Sequence, residues 1–352
     1  MSKLSIVALS FLTAVGCGSS GPGGDDTGGD DAPPFYDGVS TLTGHADPGF
    51  VDGPRGKARL ANPVNVAWGP NGKLYVADFD NGKIREVDPE SGQTSTVVAQ
   101  DNFRRPFGLA FQGNTLFVCT DRDSMGKQDL TSGTIWRVSI TGKSADVVAE
   151  KVGRCRGLAA LKDGRIAFAD FQSHTINIVD PGNGAVSLLA GQKGAAGYAD
   201  GAGAAARFNE PYHMVQRSDG SLVVTDYGNH RLRVVGLDGT VTTYAGAGTA
   251  GYGDGDMGAA KFTNPQGLAI ASNGDLFVTD ANNYRLRRIS GSSVTTVAFS
   301  GEAGYVDADD RMQAQIYGLE GLAVRPDGKA AYVADGGRGE DVPHNFIRVV
   351  KF

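Results

Sequence analysis

Four short segments of this chain are nearly the same: Gly49-Phe50-Val51-Asp52-Gly53, Gly197-Tyr198-Ala199-Asp200-Gly201, Gly251-Tyr252-Gly253-Asp254-Gly255 and Gly304-Tyr305-Val306-Asp307-Ala308. The first three continue at identical spacing through a basic and an apolar residue to Pro63, Pro211 and Pro265, and the last follows more loosely. Self-similarity of this kind means one supersecondary unit stacked several times, because no single copy can bury its own apolar face.

The rest of the unit reads on from each proline. Leu222 to Asp226 is followed by a Gly228-Asn229 turn, Arg231 to Val235, a second turn and Thr240 to Tyr244. The next copy repeats this as Leu276 to Asp280, Asn282-Asn283, Arg285 to Ile289 and Ser293 to Val297. Short apolar runs broken by Gly, Asn and Asp pairs predict antiparallel strands joined by tight turns, four to a unit.

Six such units begin near Pro63, Pro106, Arg156, Pro211, Pro265 and Leu319. Four-stranded units of about 40–55 residues, repeated four to eight times, fit an all-β propeller, whose radial closure protects the sheet edges. The sixth lacks a fourth strand after Asn345 to Phe352, whereas a spare strand, Gly38 to Gly44, precedes the first unit. The spare strand is therefore expected to complete the sixth blade and close the ring.

The pattern Pro-x-Gly-Leu-Ala, then Asn/Asp-Gly-x-Leu-x-Val-x-Asp, then Asn-x-Arg-Leu/Ile, resembles the NHL-repeat family of β-propellers, from about Val39 to the C-terminus. Blades four and five fit best, through Pro265 to Ala269 with Asp280, Asn283 and Arg285. Blade two departs most: Thr120 replaces the aspartate, and an insertion around Asp123 to Ser132 interrupts the turn. A propeller hosts many unrelated activities, so function has to come from a site.

The N-terminus has the form of an export signal: Lys3, an apolar stretch from Leu4 to Val15 too short to span a bilayer stably, and small residues up to Cys17. Cys17 resembles the cysteine of a bacterial lipobox, with Ala14 where leucine is more usual; an ordinary cleaved signal is the alternative. The expected organisation is a signal over 1–16, an acidic Gly/Asp/Pro tether over 17–35 and a propeller over 36–352. The lipoprotein resemblance, with Gly18 after the cysteine, implies a lipid anchor in the cell envelope, at the outer membrane.

The net charge of −6 matters because some relatives of this family bind RNA through a strongly basic face; an acidic exported chain argues against nucleic acid. Cys119 and Cys155 fall on the same face of adjacent blades, as either a disulfide or two buried thiols. No His-Glu-x-x-His, His-x-His or Gly-x-Ser-x-Gly pattern is present, so no catalytic residue is assigned. The loop acids Asp254, Asp256, Asp307, Asp309 and Asp310 lack the regular spacing of a calcium loop.

Residues that recur in register build scaffold. Asp78, Asp170, Asp226, Asp280 and Asp335 are expected to accept backbone N–H groups of the following turn. Arg59, Arg207 and Lys261 are expected to tie the connecting loops to a neighbouring blade. Residues that break the repeat are the better functional candidates. Where the inner strand begins beside the central channel, the sequence reads Val64, Phe107, Arg156, Tyr212, Gln266 and Glu320, with Asn65 and His213 in place of glycine at the next position. Such a mixed set lines a polar ligand pocket with an aromatic wall, or plugs the channel by mutual bonding.

The short loops before blades two and three carry Arg104, Arg105 and Arg154, with Arg122 and Lys127 nearby, which suggests a basic sector over blades two and three for a small anionic ligand or an acidic partner, the alternative being that Asp101, Asp121 and Asp123 neutralise it. Two functional classes follow. One is a non-catalytic envelope module that binds a protein, a glycan or a small anionic ligand. The other is implied by the family's resemblance to metal-dependent lactonases and a peptidyl-hydroxyglycine lyase: a hydrolase or lyase at the channel mouth, using calcium or zinc, with His213, Glu320 and Asn65 as its nearest equivalents. The lyase's metal-binding Pro-His pairs are absent from the starts of the inner strands; His213 stands one place later, as Pro211-Tyr212-His213.

Overall fold

The computed structural model describes residues 35–129, 131–337 and 344–352. The signal, Cys17 and nearly all of the tether lie outside them. The described chain is a six-bladed β-propeller. Blade one runs inward to outward as Pro63–Trp68, Leu74–Asp78, Lys83–Val87 and Thr94–Val98, and the pattern repeats to blade five, with the two-residue strands Gly201–Ala202 and Gly255–Asp256 added at the outer edges of blades four and five. Blade six takes Leu319–Val324, Ala330–Asp335 and Phe346–Lys351 from the end of the chain, and its outer strand is Val39–Gly44, paired antiparallel with Phe346–Lys351. The ring thus closes as the sequence predicts. No described helix is long and apolar enough to cross a membrane.

Each blade is buried on both faces, which explains why its inner strands read as continuous apolar runs. Successive side chains point to opposite faces, so Tyr75 and Ala77 pack toward blade two while Leu74 and Val76 pack toward blade six. Six apolar clusters result, one in each gap between neighbouring blades.

A charged device, missed by the sequence reading, holds the long loops. Arg85, Arg233, Arg287 and Arg348, one in the third strand of blades one, four, five and six, are fully buried. Arg85 donates to Asp78 Oδ2 at 2.8 Å, to Asp52 Oδ1 at 2.6 Å and to the carbonyls of Arg59 and Val51. Arg233 repeats this with Asp226 and Asp200, Arg287 with Asp280 and Asp254, and Arg348 with Asp335 and Asp307. The loop aromatics Phe50, Tyr198, Tyr252 and Tyr305 lie over these guanidinium groups. This is the physical reason for the Gly-Tyr-x-Asp-Gly repeat: its aspartate and carbonyls dock on a buried cation.

The repeated aspartates are structural: Asp170 accepts the Ser173 N–H of the following turn as expected, whereas in three others the partners differ. Oδ1 of Asp78, Asp226 and Asp280 accepts the N–H of Ala61, Asn209 and Thr263 in the loop before the blade, and Oδ2 accepts the Asn81, Asn229 and Asn283 amides of the following turn. Arg207 also departs from expectation: its side chain donates to Ala204 and Ala206 within its own loop.

Blades two and three carry neither the long loop nor the arginine. In blade two the ion pair is replaced by a neutral one, Trp136 Nε1 donating to Thr120 Oγ1 at 2.9 Å. A disulfide joins Cys119 of blade two to Cys155 of blade three.

Candidate functional site

Around the axis, on the top face where the inner strands begin, the side chains form two rings. One is the sequence-predicted set, Val64, Phe107, Arg156, Tyr212, Gln266 and Glu320, and every member is buried. The other stands just after each second strand: Phe79, Asp121, Phe171, Tyr227, Ala281 and Gly336. The two interlock over blades one to four. Phe79 meets Phe107 edge-on at 5.8 Å, Phe107 meets Tyr212 at 5.6 Å, and Tyr212 stacks on Tyr227 at 5.7 Å. Arg156 lies 4.0 Å over Phe107 and donates to Asp121 Oδ1 at 2.7 Å. Burial raises the Tyr212 hydroxyl well above its usual range, with Glu320 adding to the effect and Arg156 opposing it.

Below this layer the channel is crossed. In four blades a glycine lets neighbouring inner strands touch; a Cβ on Gly157 would stand 2.5 Å from the Tyr212 carbonyl, and one on Gly321 2.2 Å from Asn65 Oδ1. Blades one and four have Asn65 and His213 there instead. These blades are opposite each other in a ring of six, and the Asn65 amide meets His213 Nε2 across the axis at 3.4 Å. Burial pushes the His213 imidazole down to about 4, against a pull upward from the Leu268 backbone. A base whose folded pKa lies below its unfolded value near 6.5 gives stability that is complete above pH 6.5 and lost as pH falls toward 4. That loss is expected to reach about 3 kcal/mol, and His213→Gln should flatten the stability profile over pH 4–6.5 measured by urea unfolding. An equally steep profile in the variant would clear His213.

The other histidines are also engaged. His174 Nδ1 accepts the Glu210 N–H and His230 Nδ1 the Asn264 N–H, each linking one blade to the next. His344 packs on Tyr317. Among the described residues, no group of three or more His, Cys, Asp or Glu gathers as a metal site.

The basic sector divides in two. Arg154 and Arg156 both face Asp121, Arg156 in direct contact and Arg154 Nε 3.8 Å away. Arg104 and Arg105 line a different space, a top-face cavity of about 410 Å3 between blades one and two, together with Arg122, Lys83, Asp80 and Asp101. Burial lowers the Arg154 guanidinium, and the neighbouring Arg156 charge lowers it further. Asp121 and Arg122 sit where the second strand of blade two runs into its insertion; the sequence signal was the loss of the usual aspartate at Thr120.

Residues 262–289, in blade five, match the NHL repeat. The chain is 27% identical over 297 residues to the human NHL repeat-containing protein 2, covering 69% of this chain and 41% of that protein. It is 28% identical over 131 residues to the gluconolactonase of Zymomonas mobilis subsp. mobilis, covering 34% of this chain and 35% of that enzyme. The chain therefore spans well under half the length of these relatives. A solved auxiliary nutrient binding protein from Bacteroides ovatus superposes with a TM-score of 0.68 at 18% identity, over 90% of this chain and 77% of that one, a likeness of fold alone. The chain is a six-bladed β-propeller with a match to the NHL repeat in its fifth blade.

Proposed function

We propose that this propeller is a non-catalytic binding module, exported and lipid-anchored through Cys17 to the cell envelope at the outer membrane, whose top-face cavity between blades one and two takes a small anionic ligand or an acidic patch of an envelope partner. One observation carries the reading: Arg104, Arg105, Arg122 and Lys83 surround a single cavity in which the acids are Asp80 and Asp101. Cations outnumber acids there although the whole chain is acidic, so the local field favours an anion and guanidinium pairs give it geometry. The buried disulfide supports the location, since such bonds persist in oxidising compartments.

Calorimetry with a hexaglutamate peptide, citrate and inorganic phosphate tests the reading. Arg104→Glu/Arg105→Glu is expected to weaken the bound probe at least tenfold, and added salt to weaken the wild type, because exposed charges are screened within about 10 Å at 0.1 M salt. No binding of any acidic probe, or binding indifferent to the charge reversal, would overturn it.

A second reading, a metal-dependent hydrolase of lactones, is favoured by the gluconolactonase likeness over part of the chain. It predicts near-stoichiometric calcium or zinc in the purified full chain, lost in His213→Ala/Glu320→Ala, together with lactone opening. Neither metal nor turnover would leave the binding module.

A further inference from the structure

The outer rim plays no part in the anion cavity, and in blade three the chain leaves it open. In blades one, four, five and six the outermost strand is covered by the long loop that precedes the blade. Gly53 exchanges both backbone hydrogen bonds with Thr94, Ala308 does so with Val39, and Gly201 and Gly255 pair with Val241 and Val294. Two residues on, Asp52, Asp254 and Asp307 accept the backbone N–H of Thr96, Thr296 and Thr41. Thr94, Val241, Val294 and Val39 are accordingly buried. In blade three the register puts Val186 and Leu188 at the same two positions, opposite Val179 and Asn177 of the third strand. The preceding loop there is only Lys151 to Arg154, too short to double back along the rim. Among the described residues no backbone hydrogen bond reaches the outward groups of Val186 or Leu188, and these side chains are 47% and 50% exposed.

We propose that this edge pairs antiparallel with the same edge of a second copy of the chain, joining two propellers blade three to blade three across a two-fold axis at Ser187. Backbone groups alternate in direction along a strand, so those of Val186 and Leu188 face outward while those of Ser187 turn inward to Ile178. Rotated about Ser187, the segment sets each Val186 opposite Leu188 of the second copy, and each such pair exchanges both of its hydrogen bonds. The side chains suit this pairing. Val186 and Leu188 make an apolar cross-strand pair, and from Ala185 to Gly191 the strand carries no charge to repel its own copy. An open edge is ordinarily guarded by charge, proline or a covering segment. Blade two has such a guard: the Gln100 side chain bonds both the N–H and the carbonyl of Ala145, at the position of Val186, and Asp146 and Glu150 charge the rest of that strand. Blade three is thus the one described blade whose edge is both uncovered and uncharged, and the strand whose open groups match it is the same edge of another copy.

The contact is short, so association is expected to be weak: in sedimentation velocity the full chain should pass from monomer to dimer between about 1 µM and about 500 µM. Leu188→Pro removes an outward donor and should weaken the dimer about tenfold or more; an edge strand tolerates proline where its N–H faces solvent. Leu188→Lys, which guards the edge with charge, stands in should the proline variant fail to fold. Ser187→Cys gives the positive test. The two-fold sets this position beside its own copy in a non-hydrogen-bonded pair, with Cα atoms about 4.5 Å apart and so within reach of a disulfide. Mild oxidation should therefore yield a covalent dimer from Ser187→Cys, and none from wild type or from Ser144→Cys on the outer strand of blade two. The proposal fails if the chain stays monomeric across that range, if both Leu188 variants dimerise like wild type, or if Ser187→Cys cross-links no better than Ser144→Cys. A monomer that takes up a strand of a different protein counts among these failures.

Discussion

Arg233→Met should lower the unfolding free energy by about 3–5 kcal/mol, the usual cost of removing one partner from a buried ion pair. The guanidinium is fully buried and serves two carboxylates and two carbonyls, Asp226 at 2.9 Å, Asp200 at 2.6 Å, Arg207 O at 3.0 Å and Ala199 O at 2.9 Å. Asp226 has no route to water. Burial already holds its carboxyl above the usual range, opposed by the Asn229 amide, the Asn209 N–H and Arg233. Removing Arg233 raises it further. A carboxyl whose folded pKa is raised binds protons more tightly folded than unfolded, so its penalty is fully present above the folded pKa and shrinks as pH falls through it. The variant's deficit should therefore be larger at pH 7 than at pH 5, measured by urea unfolding at both. A deficit below about 1 kcal/mol at pH 7 would mean that the loops dock by other means.

Blade two supplies the control. There Trp136 and Thr120 occupy the positions of the arginine and the aspartate, and the pair is neutral. Carrying both residues into blade four as Arg233→Trp/Asp226→Thr should recover at least 1 kcal/mol over Arg233→Met, because no buried charge is left unpaired. Asp200 tolerates the loss, since its side chain remains 45% accessible.

These residues also show where sequence reading reaches and where it stops. The blades, their number and the closing strand were legible because each rests on local signals repeated in register: apolar runs, turn pairs and a proline. The arginine device was not, although Arg231-Leu232-Arg233 and Arg285-Leu286-Arg287 are plain in the sequence. Arginines flanking an apolar residue in a strand look like an exposed face, and only the fold brings the loop aspartates of Asp200 and Asp254 onto the second of each pair. The channel column was legible as a set, yet its packing was not. That Asn65 reaches His213 depends on blades one and four being opposite, a property of the closed ring. The second ring, with Asp121 as the partner of Arg156, was missed because its members share no chemistry. The basic cavity was legible in Arg104 and Arg105, and its third arginine, Arg122, in the departure at blade two.

The disulfide extends a repeated device. Thr225 Oγ1 in blade four donates to the Gln266 carbonyl of blade five at 2.7 Å, and Thr279 in blade five donates to the Glu320 carbonyl of blade six at 2.6 Å. Cys119 holds the same place, one residue before the end of the second strand of blade two, and reaches Cys155 of blade three. The hydrogen-bonded bridge to the next blade has become covalent at the one boundary whose two blades both lack the arginine. Cys119→Ala/Cys155→Ala is accordingly expected to cost about 4 kcal/mol, as closing a loop across a sequence separation of 36 residues removes entropy from the unfolded chain. Chain entropy is only half of the argument, because Cys155 immediately precedes Arg156. Loosening that strand should free Arg156 from Asp121 and disturb the top face, so the variant should also bind the acidic probes more weakly than wild type. Urea unfolding of oxidised wild type against the variant measures the first effect, and calorimetry the second. A stability change below about 1 kcal/mol would show that inter-blade packing alone holds this boundary. A full stability loss with unchanged probe affinity would separate the disulfide from the cavity and confine its role to the ring.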